Sequence, residues 1–159
     1  MPRRPEPLLS DDVASFLQSG VSIAVATRNG KLAPEGTRAW AARVDEDRIH
    51  VTVFLYAKAA GPLLANLKRH PEIAVVFDRP SDTRACQIKG TFKGSRRGRA
   101  AERAEVERQT QAFFSDLETL GFPRLLTEGW LFWPCIALTM RVTALYRQTP
   151  GPGAGEPMR

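Results

Sequence analysis

The sequence predicts an α+β fold dominated by strands, an antiparallel barrel of about six strands with helices at its periphery. Two observations carry this. Strand-like runs follow one another in hairpin order with helical segments inserted singly, and the strand–helix–strand alternation and glycine fingerprint of a parallel nucleotide-binding sheet are missing. At 159 residues, 43% of them hydrophobic, the chain suits one domain with a real core. Residues 1–148 are assigned to that domain, and 149–159, TPGPGAGEPMR, form a tail too rich in Pro and Gly to pack by itself.

Ser10 before Asp11 and Asp12 opens a helix, because its hydroxyl caps orphan amides and early acids suit the dipole. Val13, Phe16 and Leu17 form its apolar stripe and Gly20 stops it. The branched run Val21 to Arg28 reads as a strand, and Asn29-Gly30 turns it into a partner around Thr37 to Val44. After Asp45-Glu46-Asp47, Ile49, Val51, Val53 and Leu55 alternate with His50, Thr52 and Phe54, the clearest strand of the chain. His50 is read as a surface histidine, with no carboxylate spaced to partner it.

Pro62 fits the first turn of a second helix, with Leu63, Leu64 and Leu67 inward and His70-Pro71 ending it. EIAVVFD is the next strand, followed past Arg79-Pro80-Ser81-Asp82 by another at about Arg84 to Lys93 and a basic loop, KGSRRGR. From Arg99 to Leu120, Val106, Thr110, Phe113, Phe114, Leu117 and Leu120 recur at helical spacing. GWLFWPCIALTMRVTALYRQ reads as a long last strand or strand pair, broken or bulged at Pro134.

Lys plus Arg number 23 against 17 Asp plus Glu, a formal charge of +6 that favours anionic partners. Cys86 and Cys135 stand apart without a CxxC, so neither a metal site nor a disulfide framework is expected. The start has no apolar signal stretch and no run approaches membrane-spanning length, which makes the cytoplasm the expected compartment. The segment Thr37 to Lys58 is the most informative, because Arg38, Arg43 and Lys58 are spaced around paired strands as a phosphorylated ligand requires. Cations at strand ends also keep edges soluble, and both readings stand at this level. Period-two alternation puts Arg38 and Trp40 on one face and Arg43 on the other, unless the strand twists or bulges or the site crosses a subunit boundary.

The hairpin VSIAVATRNG, the strand TRAWAAR, the phrase LLANLKRHPEIAVVF, the strand ACQIKGTFKG and the ending ALYRQTPGPGAG together resemble the pyridoxamine 5′-phosphate oxidase-like family. That resemblance, from about Ser10 to Gly155, implies a split β-barrel that binds FMN at a homodimer interface. It places Arg38 and Arg43 near the flavin and its phosphate, with backbone contacts to the ring from Ala39 and Trp40. Val51 and Thr52 would pass beside the flavin, and Lys58 would bind phosphate. Typical members carry Ser-Arg-Lys where this chain has Tyr56-Ala57-Lys58, which implies a weaker phosphate grip. The family's fifth-strand glutamine aligns with Ala85, while Gln87, two residues on, shares that face.

Flavin chemistry resides in the ring, so the absence of a triad or paired acids does not count against oxidoreduction. The implied function is an FMN-dependent oxidoreductase acting on a small organic molecule. The alternatives are a flavin carrier or sensor without turnover and, from another class, a basic barrel that binds single-stranded nucleic acid through KGSRRGR. Trp130, Phe132 and Trp133 belong either to a subunit interface or to the intrachain core.

Overall fold

A computed structural model describes residues 8–158. Its strands are β1 (Ser22–Arg28), β2 (Pro34–Val44), β3 (His50–Tyr56), β4 (Glu72–Asp78), β5 (Ala85–Arg97) and β6 (Cys135–Arg147). Its helices are α1 (Asp11–Leu17), α2 (Gly61–Leu67) and α3 (Arg103–Thr119). The strands close into an antiparallel barrel in the order β1-β2-β3-β6-β5-β4. The predicted fold class is the observed one.

The barrel interior is filled by the inward members of each alternating strand. Ile23 and Val25 of β1, Val51, Val53 and Leu55 of β3, Val75 and Phe77 of β4, Ile88 of β5 and Leu138 and Met140 of β6 are at most 1% exposed. Phe16 and Leu17 of α1 and Leu63 and Leu67 of α2 extend this core at its ends, as their spacing predicts, while Leu64 is only half-buried. Ser10 accepts a hydrogen bond from the Val13 amide at 3.2 Å and caps α1. Gly20 then takes φ +86°, and a side chain there would press on Ala112 and on the Gln109 carbonyl, so glycine lets α1 and α3 meet.

Outside the barrel a second, smaller cluster joins Ala41, Phe54, Cys135 and Ala137 to Val106 of α3, with Trp40 and Trp133 against it. The helices thus pack on the β1–β2 side.

One stretch differs from its predicted form, and two others take a definite one. KGSRRGR is not a loop: β5 runs through Arg97 because its outer half stays paired with β6 up to Arg97↔Ile136. The end of the chain yields one strand rather than a pair, entered through a cis Trp133–Pro134 bond. The tail packs along the barrel, where Pro157 bridges Tyr146 and the Met158 amide donates to the Leu145 carbonyl at 2.8 Å.

Candidate functional site

β2 decides where its cations point. Its register against β3 runs Ala39↔Leu55 and then Ala41↔Phe54, so Trp40 is an extra residue, a bulge. The bulge resets the alternation: Ala39 and Ala42 face the core, while Trp40 and Ala41 both face outward into the cluster under α3. Arg43 consequently lies outside with Arg38, its guanidinium 6.0 Å from the Phe54 ring, whereas simple alternation predicts opposite faces.

Sharing a face does not bring the two arginines together. About 16 Å of strand separates them at ~3.3 Å per residue, and α3 occupies the space between. Beyond Ala39, β2 has lost its β1 neighbour, since that ladder ends at Ile23↔Ala39. The exposed edge is sealed by side chains. Buried Gln109 accepts from the Ala42 amide at 3.0 Å and donates to the Ala42 carbonyl at 2.9 Å, and Gln18 accepts from the Val44 amide at 3.0 Å. Thr110 reaches the Trp40 carbonyl at 3.4 Å. A buried amide edge left open is costly, so these contacts secure the split side of the barrel.

At the Arg43 end the charges are matched. Glu102 accepts from Arg43 at 2.8 Å, from Arg96 at 2.7 and 2.9 Å, and from the Arg99 amide at 2.8 Å. Arg96 foremost among these donors holds the Glu102 carboxyl down at about 2. Next to Arg43, Thr52 is 2% exposed and its hydroxyl is shared with Thr139 at 2.9 Å. Val51 is fully buried in the barrel core, between Val44 of β2 and Met140 of β6, and offers a ligand no exposed surface. Beyond them Asp47 sits 2.5 Å from the His50 ring, which corrects the reading of that histidine as unpartnered; the β-turn, not helical spacing, brings the two together. Partial burial opposes ionisation of Asp47, yet the amides of His50 and Ile49 and the His50 ring hold its carboxyl at about 2.

The Arg38 end is different. Arg38 donates to the Ser22 hydroxyl at 3.2 Å and lies 5.8 Å from the Phe113 ring, with no ion pair among the described residues. It borders a cleft of about 630 Å³ whose other walls include Trp40, Tyr56, Phe113, Phe114, Trp130 and Phe132, with no acidic side chain among them. Phe132 lies flat on Trp40, centroids 3.4 Å apart and planes 5° from parallel. Lys58 is exposed on the short 3₁₀ turn directly after β3, two residues past Tyr56.

The eight predicted site residues therefore fall into four places. Arg38 and Trp40 share the cleft and Lys58 follows its Tyr56 wall; Arg43 and Thr52 form the closed polar end; Ala39 and Val51 point into the core. Gln87 is half-buried on the outer side of β5, between Val76 and Tyr146, across the barrel from β2. Sequence reasoning assigned Phe113, Phe114 and Leu117 only to a helix stripe, whereas they also line the cleft. Only the fold reveals this: among the described residues, all the large exposed hydrophobics but Leu32 lie within residues 120–131 beside the cleft.

The residues fit a flavin phosphate ester at one end. An aromatic cleft with an unmatched guanidinium suits a flat ring with an anionic tail, while Arg43, already bound by Glu102, suits it poorly. Both cysteines are buried, and desolvation raises each thiol to about 12, which leaves them inert. Among the described residues no cluster of His, Cys, Asp or Glu is arranged for a metal, and no helix is long and apolar enough to cross a membrane.

Comparison of this architecture with solved structures finds split barrels. HupZ of Group A Streptococcus aligns over 92% of this chain and 99% of its own at 14% identity and a TM-score of 0.57. A putative pyridoxamine 5′-phosphate oxidase from Lactobacillus delbrueckii aligns over 87% and 93% at 14% identity and 0.53. An FMN-binding protein from Syntrophomonas wolfei aligns over 84% and 82% at 10% identity and 0.53. This chain shares their fold. No family model matches it, and no curated protein matches it by sequence. At such identities the likeness is one of fold, and function is argued from the site.

Proposed function

We propose that the protein is an FMN-binding flavoprotein of the pyridoxamine 5′-phosphate oxidase-like kind, an oxidoreductase acting in the cytoplasm on a small organic molecule. The observation that carries this is the pairing of Arg38, free of any carboxylate partner among the described residues, with an aromatic cleft on a split-barrel strand. Arg38 and Lys58 hold the phosphate, the first by directed hydrogen bonds and the second as a mobile point charge. Trp40 and the neighbouring rings supply a flat apolar surface and exclude water. Bound flavin supplies hydride and electron transfer at its own ring.

Two copies complete the site in this reading. Gln87, across the barrel from Arg38 within one protomer, reaches the flavin only from a partner subunit. The outer face around it, with Ala24, Ala26, Ala74, Val76 and Ala144, is exposed or half-buried and built of small side chains that let two barrels approach closely. Arg43 and Thr52 contribute from farther along β2 and β3, with the Glu102 contact limiting what Arg43 gives.

The visible absorption spectrum of the purified protein tests the proposal directly. A flavin spectrum, FMN released by acid and identified by mass, and bleaching by a nicotinamide reductant are the expected results. Colour that persists under reductant would leave a carrier, and a colourless protein would sink the flavin reading.

A further inference from the structure

We infer that the cleft beside Arg38 is a binding site for planar aromatic anions, and that an incoming ring competes with Phe132 for one face of Trp40. The inference rests on the proposed function only in taking FMN as one member of that class.

Charge and shape define the class. The cleft holds one cation, Arg38, and no acid, so an anion gains a charge-assisted hydrogen bond and a cation meets repulsion. The rest of the lining is aromatic or aliphatic, and a volume of about 630 Å³ falls in the range of small-molecule sites.

Phe132 marks the slot. It lies against Trp40 with nearly full overlap, while Tyr56 meets its edge at 5.8 Å and 82° and Trp130 at 6.0 Å and 82°. Those near-perpendicular rings flank the stacked pair. Full face-to-face overlap of two electron-rich rings is a poorer arrangement than an offset or edge contact, so the phenyl ring is a weak occupant of a good slot. A larger, electron-poor ring gains more from the same face.

The segment bearing Phe132 is suited to yield. Leu125, Leu126, Trp130 and Leu131 on it are 77%, 57%, 52% and 49% exposed, so most of its apolar surface is already in solvent and its main inward contacts are Trp130 on Phe114 and Phe132 on Trp40. Gly121 and Gly129 lie along it at positive φ with open space around them. Its outer part is held by an exposed ion pair, Arg124 to Glu118 at 3.3 Å.

The test uses the purified full chain with two fluorescent probes of the same ring, 1-pyrenesulfonate and the neutral 1-pyrenemethanol. Trp40→Ala should weaken both, by roughly tenfold, through the lost stacking face. Arg38→Met should weaken the sulfonate by about tenfold or more and the alcohol by less than about twofold, since only the sulfonate uses the charge. Phe132→Ala, and Phe132→Leu as a milder replacement, should tighten both probes by about threefold by removing the competitor. Equal losses for both probes in Arg38→Met, or weaker binding of both in the Phe132 variants, would overturn the inference by making Arg38 a bystander or Phe132 a wall. A colourless protein that shows the expected pattern keeps the cleft and loses the flavin. A yellow protein whose probes ignore Arg38 and Phe132 keeps the flavin and loses the cleft.

Discussion

Arg38 and Arg43 are the same residue type on the same face of the same strand, and they do different work. Arg43 is enclosed in a charge cluster with Glu102 and Arg96 that ties β2 to β5 and to the start of α3. Among the described residues Arg38 has only the Ser22 hydroxyl as a polar partner, and it stands over an aromatic cleft. In the proposed reading the first serves the fold and the second is left free for a ligand. A guanidinium already matched by a carboxylate has little left to offer a phosphate, so environment rather than residue identity separates structure from function along β2.

The sharpest way to break this division is at its border, where Gln109 seals the β2 edge between the two ends. Replacing it with Leu leaves the Ala42 amide and carbonyl buried without partners, which should cost about 3 kcal/mol and lower the midpoint of thermal unfolding by roughly 6–12 °C. Calorimetry checks it. A variant as stable as the parent would mean that water serves that edge as well, and that α3 merely lies over it.

Ligand binding comes next. Arg38→Ala should weaken FMN by about tenfold or more while riboflavin, which lacks the phosphate, changes by less than about threefold. Lys58→Ala should show the same contrast at smaller size, because an exposed ammonium is largely screened. Titration by flavin fluorescence measures both. Equal losses for FMN and riboflavin would remove the phosphate role from either residue.

Much of this arrangement was legible in the sequence, and what was not has a common cause. Alternation in β3 marked the barrel-facing Val51, Val53 and Leu55 correctly, although Thr52 and Phe54 between them are buried too, on the outer side. The bulge at Trp40 left no such mark: one inserted residue in TRAWAAR reverses every later side chain, and alanines on both faces hide the reversal. Gln109 was equally silent. A polar residue at a helical step reads as solvent-facing, yet this one is 1% exposed and bonded to a strand edge that only the tertiary fold leaves open. Phe113 and Phe114 were seen as core, since periodicity reports burial and not whether the buried face ends at a cleft.

The Arg43 end can also be probed through pH. Glu102 has a folded-state value near 2 against 4.5 for the free side chain, with Arg96 as the main cause. A depressed carboxylate contributes stability that is fully present above the unfolded value and is lost as pH falls from there through the folded value. Glu102→Gln should therefore cost about 2 kcal/mol near neutrality, and the gap between parent and variant should narrow as pH falls from 4.5 towards 2. Urea unfolding at a series of pH values measures it. A gap independent of pH would show that the carboxylate charge contributes nothing and that Glu102 acts by shape.

The smallest expected effect is the most discriminating. Arg43→Met keeps the stem over Phe54 and removes the guanidinium, leaving Glu102 with Arg96 and the Arg99 amide. Stability should fall by about 1 kcal/mol, since Arg43 is itself 45% exposed on its side chain and its pair is partly screened. FMN affinity should change by less than about threefold, in contrast to Arg38→Ala. If Arg43→Met matches the Arg38 variant in FMN lost, then ligand binding draws Arg43 away from Glu102, and the two ends of β2 form one phosphate site. That outcome would carry a second signature: Glu102 would then compete with the phosphate for Arg43, so Glu102→Gln should tighten FMN binding while Arg43→Met weakens it. Flavin titrations of the two variants side by side decide between a closed structural node and a ligand arm held in reserve.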